Sequence, residues 1–124
     1  MFYTRAKEYL ANHPARRDLF VLVNFWLCLV LYPVLWFLVL LLAQPVSHSL
    51  VLHYNIYFGV DFLGPWTWLL VYPALAGFLV VLNFGLALFL YTKEKLLSLV
   101  LIQITTIVQI IFLIAVSLIY SINI

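Results

Sequence analysis

The chain has 124 residues, of which 68% are apolar and 8% charged, and its mean hydropathy is +1.20. A soluble domain is about half apolar and about a quarter charged, so this chain cannot clothe its own surface in polar groups and belongs in lipid. Disorder, a collagen-like repeat, a zinc ribbon and a disulfide scaffold are excluded, Cys28 being the single cysteine; a net charge of +2 with no basic face excludes a nucleic-acid binder.

The first segment, 1–18, places Phe2, Ala6, Tyr9 and Leu10 at helical spacing, with Arg5, Lys7 and Glu8 on other faces. That pattern predicts a short amphipathic helix lying at the membrane surface. Asn12-His13-Pro14 breaks it, with Pro14 suited to a first helical position.

Three charge-free apolar runs follow: 19–43, 66–91 and 96–120. Each exceeds the ~20 residues needed to cross a hydrocarbon core. Lipid offers the backbone no hydrogen-bond partners, so each run is predicted as a helix. The first is too long for the hydrophobic region of a signal peptide and ends Leu42-Ala43-Gln44-Pro45, so it reads as an anchor. All six Lys and Arg, namely Arg5, Lys7, Arg16, Arg17, Lys93 and Lys95, flank the start of the first run or lie in the 92–95 turn. The positive-inside rule then puts the N-terminus in the cytoplasm and both the 44–65 loop and the 121–124 tail outside. The expected fold is all-α: one integral membrane domain over 1–124, a three-helix bundle, N-in and C-out. The expected location is a bacterial inner membrane.

The 92–95 turn is so short that the second and third helices must form an antiparallel hairpin. Ala74, Ala76, Gly77, Gly85 and Ala87 in the second run would let backbones approach closely. Asn24, Asn83 and Gln103 fall about 10–14 Å from the cytoplasmic ends of their helices. At a common depth they could hydrogen-bond across the bundle. No ionisable group joins them, which favours interhelical adhesion over a substrate or ion site. In the third helix Ser98, Gln103, Thr105, Thr106, Gln109 and Ser117 occupy about half the circumference. This face is expected to pack on the other helices or a partner subunit; a pore shared between copies is the alternative. Pro33 and Pro73 are expected to kink their helices. Tyr32-Pro33 and Tyr72-Pro73, with Trp26 and Trp66 at the same offset, leave room for a trace of an inverted repeat.

The 44–65 loop carries His48, His53 and Asp61. An extended conformation would put His53, Asn55 and Tyr57 on one face, while Gly59 and Gly64 suit turns. Its aromatic residues suit the headgroup level, so the loop is expected to lie on the outer bundle surface. His53 and Asp61 are open to three readings: a loop-locking hydrogen-bond network, a recognition surface, or a metal site, the last matching no standard ligand spacing. A histidine in such a loop would also make it pH-sensitive.

His53-Tyr54-Asn55, then Gly59, Asp61 and Gly64, between a first span and a proline-containing second span, resembles the external segment of the SdpI-type membrane domain. The likeness covers about 25 residues of the loop region. The Gly-to-Asp spacing is shorter than in that family, Pro45 lies farther from the histidine, and the additional helices of full immunity proteins do not follow. The resemblance implies a small bacterial membrane protein, some relatives of which confer immunity to peptide toxins or sense them.

No nucleophile–base pair, phosphate-binding loop or cofactor box is present in the sequence, so neither catalysis nor a cofactor is expected. The leading expectation is a non-enzymatic protein of the lipid bilayer acting by helix–helix contact, as an accessory subunit or a homo-oligomer. Recognition of an external peptide through the 44–65 loop, and an oligomeric channel or carrier, are the alternatives.

Overall fold

The computed structural model describes residues 1–43 and 49–124, without the side chain of Asp61. His48, Gln44 and Pro45 therefore lie outside the described residues. The chain runs through α1 (Phe2–Asn12), a 3-10 turn (Pro14–Arg17), α2 (Leu19–Leu42), β1 (Leu50–Asn55), β2 (Gly59–Gly64), a second 3-10 turn (Trp66–Leu70), α3 (Val71–Leu90) and α4 (Lys95–Asn123). Three helical segments, Leu19–Leu42, Trp66–Leu90 and Lys95–Asn123, are long and apolar enough to cross a membrane.

The all-α expectation needs correction, because β1 and β2 pair as an antiparallel hairpin. Its turn follows from local chemistry. Asn55 accepts a hydrogen bond from the Tyr57 amide through Oδ1 at 2.9 Å, an Asx turn. Gly59 then adopts φ +78°, a left-handed conformation that costs glycine least. The register is irregular on both sides of His53, and Tyr57 falls in the turn between the strands. Tyr57 thereby leaves the sheet, whereas His53 and Asn55 remain two residues apart on β1, the extra residue between the His53 and Tyr54 pairs standing on β2.

α4 is the centre of the bundle. It packs along both α2 and α3, which touch each other much less. Two clusters fill the contacts. Near the hairpin, Leu35, Val39, Leu42, Leu50, Leu69, Ala76, Val116 and Ile119 form one core. At the other end Ala15, Val21, Ala87 and Ile102 form a smaller one. At most 28% of the most apolar window of any of the three segments is buried inside the molecule. The apolar surface left outside these cores is of the kind that suits hydrocarbon.

The prolines differ in consequence. Pro33 stands inside α2, which continues through it. Pro73 lies in the first turn of α3, entered directly from the 3-10 turn. The amide hydrogen that Pro73 lacks therefore falls just past the junction of the two helical forms.

Candidate functional site

The polar residues of the spans meet in a seam along α4. Its members Ser98, Thr105, Thr106 and Gln109 are all buried, over about 16 Å of helix. Thr106 donates through Oγ1 to Asn24 Oδ1 at 2.7 Å, and Asn24 Nδ2 donates to the Phe20 carbonyl at 2.9 Å. Cys28 Sγ lies 3.5 Å from Thr106 Oγ1. With the Thr106 hydrogen directed at Asn24, the thiol is the donor in that contact. On α3, Asn83 Nδ2 donates to Thr105 Oγ1 at 2.8 Å, and Thr105 donates to the Leu101 carbonyl at 2.8 Å. Ser98 donates to the Ala87 carbonyl at 2.7 Å.

The three amides expected to meet therefore do not meet one another. Adjacent positions on a helix diverge by about 100°, so Thr105 serves α3 and Thr106 serves α2. Gln103 stands apart from both. It is half-buried on the shoulder of α4, beside exposed Ile104 and Ile107, and its amide makes no hydrogen bond to any described residue.

Gln109 is different again. It is 1% exposed, yet neither Oε1 nor Nε2 has a hydrogen-bond partner among the described residues. Leaving a buried polar group unpaired costs about 1–3 kcal/mol. Gln109→Met, which keeps the volume and removes the amide, is therefore expected to stabilise the fold by about 1–2 kcal/mol. Denaturation in mixed micelles measures this; a loss of stability would show that the amide has a partner.

A second polar cluster ties three helix ends together. Asp18 caps α2, its Oδ1 accepting from the Phe20 amide at 2.9 Å. Its Oδ2 accepts from the Tyr91 hydroxyl at 2.6 Å and lies 3.6 Å from Lys95 Nζ. The Tyr91 hydrogen bond is the chief reason the Asp18 carboxyl titrates below its ordinary range. The same bond holds the Tyr91 phenol above its ordinary value. Of the basic residues read from sequence, Lys95 joins this cluster and Lys93 lies 4.0 Å over the Phe89 ring. Arg5 and Lys7 are exposed on α1; Arg16 and Arg17 are exposed on the 3-10 turn.

The hairpin is held by a residue the sequence reading passed over. Asn123, at the end of α4, accepts from the Val51 amide and donates to the Val51 carbonyl, both at 2.8 Å. The far end of the hairpin is free of such contacts: Ile56, Tyr57 and Phe58 are 83–88% exposed. His53 is exposed on β1, and Asp61 is placed on β2. Among the described residues, no three His, Cys, Asp or Glu side chains gather as metal ligands.

Asp18 had a signal in the sequence, since a carboxylate immediately before an apolar run is a preferred N-cap. Asn123 had none, because its partner lies in a different element. Comparison with protein-family profiles, with curated proteins and with solved structures gives no match.

Proposed function

We propose that the chain is a non-enzymatic integral membrane protein that works through helix contacts in the bilayer, self-associating through the shoulder of α4 that carries Gln103. Its N-terminus would face the cytoplasm and its hairpin the outside of a bacterial inner membrane, on the distribution of Lys and Arg.

One observation carries this reading. Gln103 presents an unpaired amide on a flank of α4 where Ile104 and Ile107 are exposed, about 12 Å along the helix from Lys95. Hydrocarbon offers that amide nothing, and an unsatisfied polar group there costs several kcal/mol. A second copy related by a two-fold axis would supply the same amide in return, as isologous contacts do. Ser98, Thr105, Thr106 and Gln109 are buried inside the bundle. That takes these four out of reach of a pore shared between copies, while Gln103, like Ser117, stays half-buried on α4 and brings a carboxamide to its flank.

Gln103→Leu is expected to weaken the oligomer about 5- to 30-fold, the equivalent of about 1–2 kcal/mol. Native mass spectrometry of protein released from lipid nanodiscs reads this directly. A monomeric wild type, or an oligomer indifferent to Gln103→Leu, would end the proposal. A discrete heteromeric partner lost in the same variant would make the chain an accessory subunit instead.

A further inference from the structure

We propose that the crevice between the first 3-10 turn and the adjoining ends of α2 and α3 binds one anionic phospholipid. Its phosphate would rest on Arg16, Arg17 and the Nε2–H of His13, and an acyl chain would lie in the apolar cleft beside them.

Two hollows meet here. One, of about 330 Å³, is lined almost wholly by apolar side chains, among them Leu10, Val21, Phe25, Trp26, Phe84 and Leu88. The other, of about 480 Å³, is lined by Ala11, Asn12, His13, Pro14, Arg16 and Arg17. His13 and Arg16 line both, so an apolar cleft passes into a cationic hollow across two side chains. That order of surfaces matches an acyl chain followed by a phosphate, and basic hollows between membrane helices suit anionic headgroups.

The histidine makes this more than a charged rim. His13 is 5% exposed. Its Nδ1 accepts from the Ala15 amide at 3.2 Å, capping the 3-10 turn. A neutral imidazole that accepts at Nδ1 carries its hydrogen on Nε2, and Nε2 has no partner among the described residues. The ring is held edge-on by Tyr9 at 5.2 Å and Tyr91 at 5.9 Å. Tyr9 belongs to α1, none of whose residues is buried. Swinging that ring aside therefore sacrifices little packing, and the Nδ1 bond to the Ala15 amide already fixes where the Nε2–H points.

Arg16 gives one nitrogen to the Ala11 carbonyl at 3.2 Å. The rest of its planar fork stays free for a phosphate, the geometry arginine matches best. Asp18, the nearest carboxylate in sequence, is engaged by Tyr91 and Lys95. Glu8 lines an adjacent third hollow together with Arg5 and His13. The inference rests on the chain being embedded in a membrane and is independent of self-association through Gln103.

The test is native mass spectrometry of the full chain from nanodiscs of phosphatidylglycerol and phosphatidylcholine in graded ratio. The wild type should retain one phosphatidylglycerol saturably, in preference to phosphatidylcholine. Arg16→Gln with Arg17→Gln should lower that affinity roughly tenfold, whereas Lys93→Gln should leave it unchanged. Leu88→Trp, which fills the cleft, should weaken lipid retention while the headgroup residues remain. Circular dichroism confirms that each variant keeps its helices; if the arginine pair does not, Arg16→Lys with Arg17→Lys takes its place, keeping the charge and losing the fork. Equal retention of the two lipids, or retention indifferent to both the arginine and the Leu88 variants, would overturn the proposal. So would competition by glycerol phosphate at the same concentration as the lipid, which would make this a site for soluble phosphate.

Discussion

Ala87→Leu should be among the most damaging single substitutions in the protein, costing roughly 2–4 kcal/mol. Ala87 is 0% exposed, and its carbonyl accepts both from Ser98 Oγ at 2.7 Å and from the Tyr91 amide at 2.8 Å. α3 and α4 thus come close enough at this point for a serine on one helix to reach the backbone of the other. Hydrocarbon supplies no drive to push helices together, so close van der Waals approach and such hydrogen bonds carry the association. Three added carbons would force the backbones apart and break the Ser98 bond as well. Ser98→Ala isolates the second effect and should cost about 1 kcal/mol. Unfolding in mixed micelles measures both. If the two substitutions cost the same, the close approach contributes nothing and the argument fails.

The second large effect is expected at Asp18. Asp18→Ala removes an N-cap, about 1 kcal/mol, and a hydrogen bond to a charged acceptor, about 1.5–3 kcal/mol. The contact with Lys95, whose side chain is 59% exposed, adds little. The sum is a loss of about 2–3 kcal/mol after allowance for solvent. A pH dependence goes with it. The folded-state carboxyl titrates below its ordinary range, first because of Tyr91 and also because of the Phe20 amide and Lys95. A depressed carboxylate contributes its full stability above the unfolded value of about 4 and loses it as the pH falls through the folded value. The melting temperature should therefore fall as the pH is lowered from 5 towards 2, and Asp18→Asn should flatten that slope. An unchanged slope in Asp18→Asn would assign the acid sensitivity elsewhere.

How much of this was legible in the sequence depends on the range of the interaction. The three spans were readable because a charge-free run of this length has one stable conformation in lipid. The Pro14 start of the 3-10 turn was readable for the same local reason. The hairpin was not: Leu50-Val51-Leu52 shows no alternation, and the pairing is irregular around His53. Asn24, Asn83, Gln103, Thr106 and Gln109 were recognisable as polar groups in need of partners. Which partner each takes depends on helix rotation, and a sequence period leaves that undetermined among three helices. Thus Asn24 takes Thr106 and Asn83 takes Thr105, while Gln109 is enclosed without a hydrogen bond among the described residues. Asp18 carried the local signal of an N-cap, whereas the partner of Asn123 is Val51 in a distant strand, which no local pattern encodes.

The grip of Asn123 on Val51 also sets where substitutions can accumulate. Both bonds go to the Val51 main chain, one from its amide and one to its carbonyl. The identity of the side chain at 51 is therefore immaterial to the grip, with proline the exception because it has no amide hydrogen. At 123 the requirement is the reverse. A donor and an acceptor must leave one side chain together, and a carboxamide does that where a carboxylate, lacking the donor, does not. Variation should thus be tolerated at 51 and purged at 123, although the two residues form a single contact.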